Sequence, residues 1–125
     1  MTAEALDVIN TAIADMGIEY AFGKYKGKKD SYYTGEYQEV PTASEDGSEE
    51  TTFILNGFSR TTLLELEEAK AEIKKKFHPT DGYMVTTPIG SVVAIFYDQG
   101  FVIPLEDAEL KRLQINLTIK EWKVN

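Results

Sequence analysis

From Arg112 to Lys123 the chain reads RLQINLTIKEWK, with Leu113, Ile115, Leu117 and Ile119 on every second position and Arg112, Gln114, Asn116, Thr118 and Lys120 between them. That period of two is the pattern of a strand with one face in a core and the other outside it. A polar second face predicts an antiparallel sheet, because parallel strands buried on both faces read as unbroken apolar runs. Twelve residues of strand span roughly 40 Å at ~3.3 Å each, so either a bulge interrupts this strand or its end reaches a partner.

The other elements follow from the same periodicities. Thr2 caps a predicted helix over 3–16, in which Leu6, Ile9, Ile13 and Met16 recur at helical spacing and Gly17 supplies the left-handed stop. Strands are expected over about 18–59, including Ile18–Phe22, Ser31–Val40 with a bend or bulge at Gly35, and Thr51–Ser59, which carries apolar residues on both faces. They are interrupted by an acidic, solvated loop at 41–50, PTASEDGSEE. Thr62 and Glu65 fit a capping box for a helix over 62–77, whose buried stripe is Leu63, Leu66, Ile73 and Phe77. Its early glutamates and its Lys74–Lys76 end suit the helix dipole, and Pro79 and Gly82 stop it. Strands return over about 83–123, as Tyr83–Thr87, Val92–Tyr97, a turn at Asp98–Gly100, Phe101–Ile103 and the final long strand. We expect one domain over 1–125, of the α+β class: a two-layer sandwich of a mostly antiparallel sheet with two helices packed on one face. The bare face then carries Arg112 and Trp122, and an outward Trp is the residue hardest to explain in a monomer.

Composition narrows the chemistry. The 125 residues are 42% hydrophobic and 27% charged, ordinary for a globular domain, and hold no cysteine, so disulfides and thiolate metal sites are excluded. His78 is the only histidine, which leaves a zinc centre dependent on carboxylates. No run approaches a membrane span and no secretory signal opens the sequence. A net charge of −8 opposes binding to a phosphate backbone. The charge is uneven: residues 1–60 hold 5 bases against 11 acids, and residues 61–125 hold 8 against 10.

Several short patterns fail on their mechanics. GKYKGKK has three residues between its glycines where a phosphate loop needs four, and Lys28 is followed by Lys29 rather than Ser or Thr. SEDGSEE places Thr42, Ser44 and Phe53 where a calcium loop wants acidic ligands. His78 reads as a helix-ending residue that meets the last carbonyls. Tyr20, Tyr25, Tyr32, Tyr33 and Tyr37 form the densest aromatic group, either a base-stacking platform beside four lysines or, preferably, strand packing and subunit contact. No catalytic residue, cofactor or metal ligand is nominated.

Taken over the whole chain, the order of elements resembles the tail terminator, or tail completion, proteins of tailed bacteriophages and phage-tail-like particles. The features that carry the resemblance are the helix ending at Gly17, the tyrosine-rich strands, the passage TTFILNGFSRTTLLELEEAKAEIKKKF, the Tyr83–Tyr97 meander and the closing LQINLTIKEW. The resemblance implies a non-enzymatic virion protein at the head-tail junction, assembled in the host cytoplasm. It would form a ring with itself, a hexamer in such families, that caps the tail tube protein, ends its polymerisation and meets the head connector or head-closure protein. A sheath is a further partner where one exists, DNA only passes through the channel, and no membrane is involved. The interface candidates are Lys24, Lys26, Lys28 and Lys29 on one loop, Glu45, Asp46, Glu49 and Glu50 on another, and Arg112 and Trp122. The alternative is a small acidic protein-binding module, inhibitor-like or immunity-like, acting as monomer or dimer.

Overall fold

A computed structural model describes residues 1–43, 47–106 and 109–123. Its elements run α1 (Ala3–Ala14), β1 (Tyr20–Phe22), β2 (Ser31–Ala43), β3 (Glu49–Ser59), α2 (Leu63–Lys76), β4 (Tyr83–Thr86), β5 (Val92–Ile103) and β6 (Lys111–Trp122). The six strands form one sheet in the order β1-β2-β3-β6-β5-β4, antiparallel throughout except that β1 runs parallel to β2. The fold is α+β with a mostly antiparallel sheet, as expected from the sequence, but the sheet curls into a half-barrel instead of forming one layer of a two-layer sandwich.

The alternation that predicts β6 is also what makes it central. Leu113, Ile115, Leu117 and Ile119 are fully buried and stand opposite Gly57, Leu55, Phe53 and Thr51 of β3. On the other flank the same four residues face Val102, Gly100, Tyr97 and Ile95 of β5. Both helices join this cluster, α1 through Ala5, Ile9, Ala12 and Ile13 and α2 through Leu66, Ile73 and, at its end, Phe77. Burying a large aliphatic side chain contributes ~1.5–3 kcal/mol, so the row on β6 is the largest single contributor from any strand.

Caps fix the helix ends. Thr2 Oγ1 accepts from the Ala5 amide, and Thr62 Oγ1 accepts from the Leu64 amide. Gly17 follows α1 at φ +76°, which only glycine adopts without strain. The carboxylate of Glu121 is buried, and it accepts from Thr2 Oγ1 and from the Thr2 amide at 3.4 Å, where the positive end of the helix favours an anion.

Four expectations are corrected. No bulge occurs at Gly35, where the register runs unbroken from Ser31 to Glu39; a Cβ there would lie 2.4 Å from Tyr20 Oη and 2.8 Å from Phe53 Cζ, so the glycine makes room for rings. The acidic loop at 41–50 is shorter than expected, since β2 continues to Ala43 and β3 begins at Glu49. The turn expected at Asp98–Gly100 is a bulge inside one continuous strand, with Tyr97 opposite Leu117 and Gln99 opposite Asn116. Thr118 Oγ1 donates to the carboxylate of the extra residue, Asp98, which holds the bulge. Finally, His78 does not meet helix carbonyls: its Nδ1 accepts from the amides of Thr80 and Asp81 at 3.1 Å each.

Candidate assembly surface

The sheet face turned away from the helices is built from the even positions of β6 and their cross-strand neighbours. Arg112, Gln114, Asn116, Thr118, Lys120 and Trp122 are half-buried along it. Phe58, Asn56, Ile54, Thr52 and Glu50 of β3 stand opposite the first five, and Ile103, Phe101, Gln99, Phe96, Ala94 and Val92 of β5 flank them on the other side. Polar groups on this face are knitted sideways. Arg112 Nη2 donates to Asn56 Oδ1 at 2.8 Å, Asn56 Nδ2 donates to Glu36 Oε1 at 3.1 Å, and Gln114 Nε2 donates to Asn116 Oδ1 at 3.0 Å. Arg112 Nε is buried without a partner among the described residues.

At the Arg112 end a row of rings crosses the strands. Tyr25 stacks on Tyr32 at 4.1 Å between centroids, Tyr32 lies 5.5 Å from Phe58, and the Arg112 guanidinium sits 5.6 Å from the Phe58 ring. The tyrosines therefore do not form one platform: Tyr25 and Tyr32 lie on the outer face, whereas Tyr33 and Tyr20 pack with the core. Burial raises the Tyr33 and Tyr20 phenols well above their ordinary value near 10, and raises Tyr97 as well. Tyr33 Oη donates to the Leu66 carbonyl at 2.7 Å inside the core.

The candidate charges are distributed as follows. Lys24, Lys26, Lys28 and Lys29 are all exposed on the segment between β1 and β2. That segment is shaped by Tyr25, whose hydroxyl donates to Glu19 Oε2 at 3.0 Å and accepts from the Lys29 amide at 3.1 Å. A Cβ at Gly27 would stand 2.2 Å from the same hydroxyl, so the ring's position requires glycine there. Glu49 pairs with Lys123 at 2.8 Å, which raises the lysine above its usual value, and Glu50 pairs with Lys120 at 3.5 Å. Glu45 and Asp46 lie outside the described residues. The lysine segment enters β2 at Ser31, whereas Glu49 and Glu50 open β3 opposite the far end of β2, so the structure holds these two groups apart by the length of that strand, roughly 40 Å. Arg112 and Trp122 share the outer face but stand ten residues apart on β6, roughly 33 Å.

Two concavities flank the lysine segment. A cleft of about 220 Å³ is lined by Lys28, Lys29 and Arg60 with Tyr25, Tyr32 and Phe58. On the helix side a groove of about 690 Å³ carries Glu19, Glu65, Glu68 and Glu72. Among the described residues no group of three or more His, Asp or Glu side chains is placed to hold a metal ion, and no helix is long and apolar enough to cross a membrane.

Periodicity could not identify the sheet's side edges, since an edge is defined by strand order. Among the described residues eight large apolar side chains are exposed, and five of them, Phe22, Tyr37, Met84, Phe101 and Val102, lie on the strands at the two edges.

No protein-family model and no curated protein matches the chain. Its fold is similar to that of a chain in the solved structure titled "Virion of native gene transfer agent (GTA) particle", at 11% sequence identity and a TM-score of 0.60, covering 98% of this chain and 87% of that one.

Proposed function

We propose that this chain is a structural, non-enzymatic virion protein that closes into a ring on the tip of a tail tube, ends tube growth and offers a joining surface to the head. The observation that carries this reading is the fold likeness to a chain of a virion particle, which spans 98% of the sequence. The half-buried outer sheet face with Trp122 and the exposed apolar edges support it, because such surfaces suit contact with further copies or other virion proteins. A head-to-tail ring uses two different patches on every subunit. Lys24, Lys26, Lys28 and Lys29 at one end of β2, and Glu49 and Glu50 beyond its other end, are our candidates for contacts with the proteins above and below such a ring. A net charge of −8 suits a bore through which DNA slides.

The test is a tube-assembly reaction with a tail tube protein that polymerises in vitro. Stoichiometric addition of the chain is expected to shorten and sharpen the tube-length distribution in electron micrographs. A distribution unchanged by the chain refutes the capping role. Reversal of the four lysines to glutamate is expected to abolish capping with the fold intact, and full capping by that variant removes the lysines from the interface.

The acidic groove with Glu19, Glu65, Glu68 and Glu72 favours a second reading, a module that captures a basic partner. A stable monomer in native mass measurements that leaves tubes unaffected would favour the module.

A further inference from the structure

The two side edges of the sheet are stepped, and the steps match. Each position across the sheet can be named by the β6 residue it aligns with. On one edge β1 is a three-residue strand that pairs Tyr20, Ala21 and Phe22 with Tyr33, Thr34 and Gly35. Through β2 and β3 these residues align with Leu113, Gln114 and Ile115. Beyond Gly35, β2 continues along β3 with no described strand on its outer side, so this edge projects at Leu113–Ile115 and is recessed above it.

The opposite edge has the reverse outline. There β4 pairs Tyr83–Thr86 with Ile95–Val92, which align with Ile119–Trp122. Just below, the Tyr97 amide is taken by the Phe77 carbonyl at 2.8 Å. From Gln99 to Ile103, aligned with Asn116–Arg112, β5 has no described strand on its outer side. This edge projects where the first is recessed and is recessed where the first projects.

We propose that neighbouring copies join by these edges, with β1 of one copy lying in the recess beside Gln99–Ile103 of the next, and β4 of that copy lying in the recess beside the free part of β2. The contact deepens the ring reading above and rests on it. Three properties support it. The steps interlock with no shift along the strands, so a rotation about an axis parallel to the strands generates it, and such a heterologous contact gives a ring where that rotation divides a full turn. Strand directions give an antiparallel β1/β5 contact, able to pair the backbone groups that an open edge leaves free, and a parallel β4/β2 contact, where Pro41 and the register shift between Glu39 and Ala43 leave side-by-side packing rather than a full ladder. The inner and outer faces also stay in phase across the joint, Ala21 falling beside Phe101 on the outer face and Tyr20 beside Val102 on the inner one. Phe101 is 41% and Val102 45% exposed, so the joint covers apolar surface that the single chain leaves in water.

The chain has no cysteine, which permits a direct test with Ala21→Cys/Phe101→Cys. Within one chain three strands stand between these positions, about 19 Å along the sheet at ~4.8 Å per strand, far beyond the ~7 Å that a disulfide spans. A bond between them must therefore join two copies. Under oxidation at high protein concentration the double variant is expected to give a ladder of covalent multimers on non-reducing gels, ending at the ring, whereas either single variant stays monomeric. Phe101→Lys, folded by circular dichroism, is expected to lose the ring in native mass measurements. Covalent dimers from a single variant, or a ring of the unmodified chain with no ladder from the double variant, overturn the edge contact and leave the ring standing. Ladders that grow into open filaments support the edges and overturn the closed cap. Monomers throughout overturn both.

Discussion

Gly57→Ala tests how tightly the core is built around its glycines. Gly57 sits on the inner face of β3, opposite Tyr33 on one side and Leu113 on the other. A Cβ at this position would lie 2.7 and 2.8 Å from Cε1 and Cζ of Tyr33 and 3.2 Å from Leu66 Cδ2. To restore ordinary contact the ring must retreat by roughly 0.7 Å or more, and overpacking of this kind costs ~1–3 kcal/mol. The ring cannot retreat without stretching its 2.7 Å hydrogen bond to the Leu66 carbonyl. A buried donor and acceptor left unpaired cost a further ~1–3 kcal/mol. Replacing glycine stiffens the unfolded chain and returns ~0.4–1 kcal/mol. The net loss is ~1–5.6 kcal/mol, which for a domain of this length, at ~2.1 cal/mol/K per residue, lowers the thermal midpoint by roughly 4–21 °C. Urea unfolding of Gly57→Ala, Tyr33→Leu and the double variant measures the coupling. We expect most of the alanine's cost to vanish in the Tyr33→Leu background. A Gly57→Ala protein as stable as the parent, or an equal cost in both backgrounds, refutes the reasoning.

Stability is expected to fall as pH rises above about 10. Tyr33, Tyr20 and Tyr97 have folded-state values raised by burial, so their contribution is complete below the ordinary tyrosine value and is lost as pH climbs through the raised ones. Urea midpoints at pH 8 and 11 check this, and Tyr33→Phe is expected to flatten the decline. Glu121→Ala removes the buried acceptor of the Thr2 hydroxyl and amide and is expected to cost ~2–4 kcal/mol, read as a lower urea midpoint together with faster amide exchange in the first turn of α1. Tyr25→Ala takes away the hydroxyl that holds Glu19 and the Lys29 amide, so trypsin is expected to cleave after Lys24–Lys29 several-fold faster; an unchanged rate would mean that Tyr25 does not order the segment.

The long periodic elements were legible in the sequence because each satisfies a single strong repeat. The β6 alternation, the stripe of Leu66, Ile73 and Phe77 with Leu63 half-buried beside it, and the left-handed Gly17 appear where the residues place them, although α1 ends at Ala14 rather than 16. Misreadings arose where a local rule had more than one structural solution. Asp98-Gln99-Gly100 satisfies turn chemistry, yet the pairing of β5 with β6 absorbs it as a bulge. Gly35 signals a bend, yet here it signals a ring lying across the strand. Pro41 reads as a loop residue, but it is tolerated in β2, on whose outer side no described strand pairs beyond Gly35. The charged candidates were visible as runs of like sign, whereas their separation by the length of β2 and the partners of Glu49 and Glu50 depend on strand order. The same dependence hid the stepped edges, since β1 and β4 are only three and four residues long and carry no period of their own.

The strand at the middle of the sheet, β6, comes after the other seven described elements in chain order, and so is made after them. Until Trp122 has emerged, β3 and β5 have no common neighbour, and the nascent polypeptide exposes a gap where its tightest packing will later stand. A prematurely terminated product is therefore not a smaller version of the protein but a sticky fragment, suited to chaperone capture and degradation.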